Sequence, residues 1–350
     1  MSIKILGMIG VAPTDGTTVH VIGGGIDADY LVRFAQAHEQ AGFDAALVGY
    51  SSASAEGFQV AGFVAANTEK LKLLVAHRPG FVAPTLAARK IATFDNLTRG
   101  RLLVHIITGG SDFDQRRDGD FLGHDERYAR TDEYLEVMMK TWLSASAFDY
   151  DGTYYQVEKA KSEVHSFQKP HVPVYFGGMS APALRVGAKH ADVYALFGES
   201  RANVSQMMSN INQIAAEFDR QPDYQLSFRP IIAETESAAW EKAETILSSV
   251  KPVNLKGARP EAETARRLLR LSEQGEIHDE RLWTPLAAAA GGSGNTTALV
   301  GTPRQVADAI LAYHELGVGG FLIRGFDPLQ DALEYGRELI PMIREGAVRS

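Results

Sequence analysis

Leu71-Lys72-Leu73-Leu74-Val75-Ala76 and Leu102-Leu103-Val104-His105-Ile106-Ile107 bracket an amphipathic stretch, Thr85–Leu97, with Pro84 at its head. Short apolar runs bounded by glycine, proline or polar residues have the character of strands buried on both faces. Proline is tolerated in a first helical turn. The unit therefore reads strand, helix, strand, and it recurs. Further strands are expected at Ile3–Ile9, Ala45–Val48, Val172–Phe176, Val193–Phe197, Leu226–Ala233 and Gly320–Ile323. Between them lie helical patterns such as Tyr30–Ala41, with Asp27 or Asp29 as N-cap, and Val306–Leu316 behind Pro303. Eight strands alternating with helices is the count a (β/α)8 barrel requires. A doubly wound sheet would normally carry a glycine-rich turn after its first strand. Gly7-Met8-Ile9-Gly10 is not GxGxxG, and GxxxxGK[ST] is absent from the chain. The expected fold is an α/β (β/α)8 TIM barrel with insertions, a single domain over residues 1–350.

Three stretches interrupt the rhythm. Thr108–Arg127 is polar and follows the fourth strand. Ser144–Pro170 suggests a hairpin turning at Asp151-Gly152. Lys251–Thr297 carries Arg259, Arg266, Arg267, Arg270 and Arg281 before the small-residue run Ala287–Asn295. Its first part reads as helical, and its glycine-rich end as a mobile lid over the barrel mouth.

Composition narrows the function. With 35 Lys+Arg against 43 Asp+Glu, the formal charge of -8 argues against sequence-independent nucleic-acid binding. An anionic substrate would need a few arginines concentrated in a pocket. No signal segment is legible at Met1-Ser2-Ile3-Lys4, and no apolar run approaches the ~18 residues of a membrane span. The expectation is a cytoplasmic chain without membrane contact. Zero cysteines exclude disulfides, thiolate metal sites and thiol nucleophiles. The histidines offer neither HxH nor HExxH, and no GxSxG elbow exists, so neither a metal centre nor a serine hydrolase is expected.

Four features remain. Gly177-Gly178-Met179-Ser180 lies between an apolar strand and the helix Ala181–His190. It suits either an anion held by backbone N–H groups and the serine hydroxyl, or an N-cap serine behind a tight turn. In His124-Asp125-Glu126-Arg127-Tyr128, helical spacing turns Tyr128 toward His124. The dull alternative is a helix start with acidic residues complementing the dipole. Arg78, Arg229 and Arg324 fall at or near strand ends, which converge on the active site of a barrel. Any one of them alone suggests a salt bridge; all three converging suggest an anionic ligand. The fourth is the segment Phe94-Asp95-Asn96-Leu97-Thr98-Arg99-Gly100-Arg101, running into Leu102–Gly109.

Together these residues resemble the bacterial luciferase-like flavin monooxygenases, and within them the FMNH2-dependent alkanesulfonate monooxygenases. Phe94–Gly109, the H-x-E-R-Y of His124–Tyr128, the F-G-G-x-S of Phe176–Ser180, Thr297–Pro303 and Phe321–Phe326 carry the resemblance, in order along the chain. It implies reduced FMN delivered by a separate NAD(P)H-dependent flavin reductase, dioxygen as co-substrate, and a homo-oligomer, dimer or tetramer. In the sulfonate branch the carbon bearing sulfonate is oxygenated, releasing sulfite and an aldehyde. Carried over by position, Gly178 and Ser180 would hold the FMN phosphate beside Tyr128, with His105 and Thr108 at the isoalloxazine. Arg229 and His124 are expected as catalytic groups, and Arg229, Phe197, Phe326, Arg324 and Arg78 as substrate contacts. Phe197 stands where the relatives carry tryptophan, Ile231 for histidine, Phe326 for tyrosine and Ala290 for arginine, and a cysteine near Ser51–Ser54 is missing. The cofactor half is thus retained while much of the substrate half is replaced. The expected substrate is a small organosulfonate, bulkier or more polar than a simple alkanesulfonate. The alternatives are a neutral organic substrate, a deazaflavin (F420)-dependent oxidoreductase, and a flavin-binding protein without turnover.

Overall fold

The computed structural model describes residues 2–13, 25–250, 253 and 260–349. Eight strands form a closed, wholly parallel ladder: β1 (Lys4–Met8), β2 (Ala45–Val48), β3 (Lys72–His77), β4 (Leu102–Ile106), β5 (Val174–Gly177), β6 (Val193–Phe197), β7 (Asp223–Ile232) and β8 (Gly320–Ile323). Each pairs with the next in sequence, and β8 returns to β1 through Lys4 opposite Gly320, Ile5 opposite Phe321 and Leu6 opposite Leu322. This is the expected (β/α)8 barrel.

Successive side chains point to opposite faces of a strand. Ile5, Leu73, Val75, Val104, Phe176, Leu226 and Phe321 face outward into the main core against the helices. Leu6, Ala45, Leu74, Leu103, Tyr175, Val193 and Leu322 face inward and plug the barrel. The helices start where the sequence says. The Asp27 carboxylate accepts the Tyr30 N–H at 2.9 Å, and Pro84 and Pro303 open their helices. A close approach fixes Gly7: a Cβ there would lie 2.2 Å from His38 Cδ2.

Two insertions depart from expectation. The hairpin pairs Asp151 with Gln156, so its connection spans Gly152–Tyr155 rather than a tight Asp-Gly turn; the Glu133 carboxylate on the neighbouring helix accepts the N–H groups of Thr153 and Tyr154. The insertion after β7 is built onto the barrel. β7 begins three residues before the expected Leu226, at Asp223. Its first half pairs with β6 and β8; its second half, Arg229–Ile232, pairs with Ala298–Gly301, which in turn holds Leu282–Trp283 antiparallel. Ile231, Ala243, Trp283, Val300 and Phe326 form a second small core there. The helix Glu263–Gln274 belongs to the same insertion. Residues 251–252 and 254–259 of the expected lid, Arg259 among them, lie outside the described residues. No described helix is long and apolar enough to cross a membrane.

His38 and His77 are buried in the outer core. His38 meets Phe34 O at 2.9 Å, and His77 meets the Tyr134 hydroxyl at 2.7 Å. Burial lowers both from the usual 6.5 to about 4. Between those values the unfolded chain binds more protons than the folded one, so stability is full above pH 6.5 and declines as pH falls toward 4. The expected result of thermal melts is a Tm that already declines between pH 6.5 and about 4.5, with a shallower slope in His77→Gln. A flat Tm over that window would contradict the burial argument.

Candidate active site

The C-terminal ends of the strands open into a cavity of about 1230 Å³. Met8, Leu47, Leu74, His105, Ala195, Gln225, Ser227 and Leu322 form its inner wall. Thr108, His124, Tyr128 and Gly177–Ser180 form one rim, and Pro260–Ala265 with Ala290–Asn295 the roof. Small-molecule sites usually measure ~300–1,000 Å³. The chamber exceeds what one ordinary ligand needs.

The Gly177–Ser180 turn is built to leave backbone exposed. Gly178 has φ +140, and a Cβ there would lie 2.8 Å from Ala183 Cβ and 3.0 Å from the Tyr128 hydroxyl. The Tyr194 hydroxyl donates to Gly178 O at 2.7 Å and pins the turn. Ser180 is the N-cap of Ala181–His190, its Oγ accepting the Ala183 N–H at a long 3.4 Å. Capping and an open donor array therefore coexist in one turn. Burial raises the Tyr128 pKa, so its phenol stays protonated.

His124 opens the helix His124–Leu143, its ring 5.0 Å from that of Tyr128 and its Nδ1 2.6 Å from Asp125 Oδ1. The Glu126 carboxylate accepts the Gly123 N–H at 2.8 Å, as a helix start requires. Thr108 is buried, donating to Thr131 Oγ1 at 3.2 Å, while Gln115 Nε2 donates to Thr108 O at 2.6 Å. The His105 ring lines the cavity, its Nδ1 is buried without a hydrogen-bond partner among the described residues, and burial lowers its imidazole to about 4. It is neutral at physiological pH.

The three strand-end arginines take three different courses. Arg78 Nη2 donates to Asp114 Oδ2 at 2.7 Å, and its guanidinium lies 4.3 Å over the Tyr50 ring. It lines the cavity, already paired. Arg229 is fully buried outside the cavity wall, donating to Asn295 O at 2.9 Å and Gly325 O at 3.3 Å and stacking over Phe326 at 4.5 Å. Burial and the nearby Arg324 charge both oppose its protonation. Arg324 faces the cavity, with Nη1 3.3 Å from Met8 Sδ and no carboxylate within salt-bridge distance among the described residues. Burial lowers it to about 10, so it remains a cation.

Thus Arg78, His105, Thr108, His124, Tyr128, Gly178, Ser180, Phe197 and Arg324 come together around one chamber, while Arg229 and Phe326 stand behind its wall. Arg281, a lid cation considered from the sequence, is engaged by Glu236 at 2.6 Å. Sequence reading passed over Gln225 and Ser227. The signal was there: Gln225, Ser227 and Arg229 alternate with Leu226 and Phe228, the period of one strand face.

The luciferase-like monooxygenase family model matches residues 1–320. The chain belongs to that family. Among solved structures it is similar to the riboflavin lyase RcaE with modified FMN and riboflavin, at 20% identity and TM-score 0.80, covering 99% of this chain and 92% of that one. EDTA monooxygenase (EmoA) from Chelativorans sp. BNC1 matches at 18% identity and TM-score 0.74, with 99% and 95% covered. An F420-dependent secondary alcohol dehydrogenase in complex with an F420-acetone adduct matches at 14% identity and TM-score 0.72, with 98% and 99% covered. At such identities the likeness concerns the fold, within which luciferase-like chains differ in chemistry.

The roof of this luciferase-like protein is clamped to the barrel. Arg267, on Glu263–Gln274, meets the buried Glu199 carboxylate through Nε at 2.7 Å and Nη2 at 2.9 Å, and Glu261 accepts the Asp112 N–H at 2.7 Å. Arg267→Met should lower the opening free energy of that helix by about 1–2 kcal/mol. Hydrogen exchange should then accelerate about tenfold across Glu263–Gln274 while the barrel strands keep their protection.

Proposed function

We propose that this protein is a two-component, reduced-FMN-dependent monooxygenase that oxygenates a small organosulfonate at the carbon bearing the sulfonate. The overall change balances as sulfonate, dioxygen and reduced FMN going to aldehyde, sulfite, oxidised FMN, water and a proton. The C–S bond breaks, one oxygen atom enters the carbon, and the other leaves as water. The observation that carries the reading is Arg324, whose guanidinium faces the chamber with a thioether as its only hydrogen-bonding partner among the described residues.

The residues fit a flavin. Side-chain-free Gly178, the start of Ala181–His190, and the Ser180 and Tyr128 hydroxyls suit a phosphate. The His105 imidazole and the nearby Thr108, both lining the cavity, suit the polar edge of a ring system. Reduced FMN, when bound, supplies the electrons that activate dioxygen. The chain itself does the rest. Ser180 and Tyr128 anchor the phosphate, neutral His105 orients the ring without adding charge, and the roof segments exclude water. His124, with Nδ1 committed to Asp125, leaves Nε2 for proton exchange. Arg324 takes the sulfonate, a permanent anion whose desolvation without a cation would be prohibitive. Arg229 acts through the wall, holding Asn295 and Gly325 in place beside it.

Ser180→Ala is expected to weaken reduced-FMN binding by about 1 kcal/mol, roughly fivefold, in anaerobic fluorescence titration. Coupled to a flavin reductase, the protein should release sulfite from a panel of sulfonates, and Arg324→Gln should abolish that release while leaving reduced-FMN affinity intact. Unaided NADH oxidation, a preference for the deazaflavin, or turnover of neutral compounds with no sulfite from any sulfonate would each end the proposal.

A further inference from the structure

Among the described residues, the Arg324 guanidinium makes its one hydrogen bond to sulfur. Nη1 lies 3.3 Å from Met8 Sδ, and a thioether is a weak acceptor. The contact follows from register. Leu6 and Leu322 pair in the ladder and both point inward; Met8 and Arg324, two residues further along β1 and past the end of β8, point the same way. Met8 is 8% exposed, and it lines the chamber together with Arg324. Other methionines are placed differently. Met138 and Met207 are buried in the outer core, and Met179 lines the chamber at the Gly177–Ser180 turn.

With cysteine absent, methionine is the sulfur that peroxide oxidises in this chain. Reduced flavin that meets dioxygen without a substrate gives oxidised flavin and hydrogen peroxide, so an idle oxygenase makes the oxidant within its own chamber. The step at Met8 balances. The sulfur lone pair attacks one peroxide oxygen, the O–O bond breaks and an S–O bond forms. The other oxygen leaves as hydroxide, takes the proton of the transferred oxygen and becomes water. Sulfur loses two electrons, and peroxide gains them.

We propose that Met8 is an oxidation site whose sulfoxide shuts the anion site at Arg324. This rests on the reading of the chamber as the place where oxygen is activated and the substrate anion is held. Oxidation turns an apolar side chain into a polar one and puts a strong acceptor beside the guanidinium. Arg324 is then satisfied from within the protein, and its charge-assisted hydrogen bonds are no longer free for a sulfonate. Turnover without substrate thereby weakens substrate binding while leaving the flavin rim at Gly177–Ser180 intact.

The test treats the purified full chain with hydrogen peroxide, removes the excess with catalase and locates the added oxygen by peptide mass spectrometry. Met8 should gain one oxygen atom before Met138 and Met207 do. Loaded anaerobically with reduced FMN, the treated protein should bind butanesulfonate about tenfold more weakly in calorimetry, the scale of a hydrogen bond to a charged group. Met179→Leu should show the same loss on treatment, and Met8→Leu none. Met8→Gln, whose amide oxygen stands in for the sulfoxide, should bind butanesulfonate weakly without any peroxide. A Met8 left unmodified while Met138 and Met207 are oxidised would overturn the proposal. So would undiminished butanesulfonate affinity in protein oxidised at Met8, or an equal loss in Met8→Leu. Methylglyoxal labelling of Arg324, which needs no substrate, separates this proposal from the sulfonate reading. Labelling slowed by Met8 oxidation in a protein that binds no sulfonate would sink that reading and leave the Met8–Arg324 switch standing. Labelling unchanged by Met8 oxidation would overturn the switch whatever the sulfonates do.

Discussion

Closure of the barrel rests on one long-range pairing: Lys4–Met8 lies against Gly320–Ile323, and Lys4 donates its N–H to Gly319 O at 2.9 Å. Without it β1 and β8 would be open edges, and the inward faces of eight strands would have no common axis. Once the ladder closes, alternation along each strand does the rest. Leu6, Leu74, Leu103 and Tyr175 plug the lower barrel, and the next inward residues, Met8, His105, Gly177, Ser227 and Arg324, line the cavity. The chamber is a consequence of strand parity and of where small residues fall.

Strand β7 gives the molecule its second character. It is too long for the barrel, and its outer half carries a satellite sheet and a small core of its own. The insertion is therefore anchored by backbone hydrogen bonds through Ala298–Gly301, and by the Arg267–Glu199 fork, instead of hanging from two flexible ends. This construction explains why Arg229, on the inward face of β7, is buried: the chain that returns at Asn295 covers it. A guanidinium placed by strand parity toward the site is walled off by the insertion and becomes support for the wall.

Charge is distributed to match. The chain carries a net -8, yet at the cavity the cation Arg324 faces inward. Arg78, at the same rim, is neutralised by Asp114 and Asp118, with Tyr50 donating to Asp118 Oδ2 at 2.5 Å. A cation without a carboxylate partner in a largely apolar cavity exerts a stronger and more directional field than several surface lysines would.

The eight strands and the helix starts at Asp27, Pro84 and Pro303 were legible in the sequence, because apolar period and capping chemistry are local properties. The strand-to-helix turn at Gly177–Ser180 was legible for the same reason, since a glycine pair before a serine constrains its own backbone. The stretch around Leu226 was only half legible. A strand that changes partners midway has no single pattern, so its start at Asp223, and with it Gln225, escaped notice. By itself the sequence determined the barrel, the family likeness and which side chains share a strand face. Only the tertiary structure decided which of three equivalent-looking arginines faces the chamber without a carboxylate partner, because that depends on Asp114, Asn295 and Met8, each brought from a distant part of the chain by closure of the ladder.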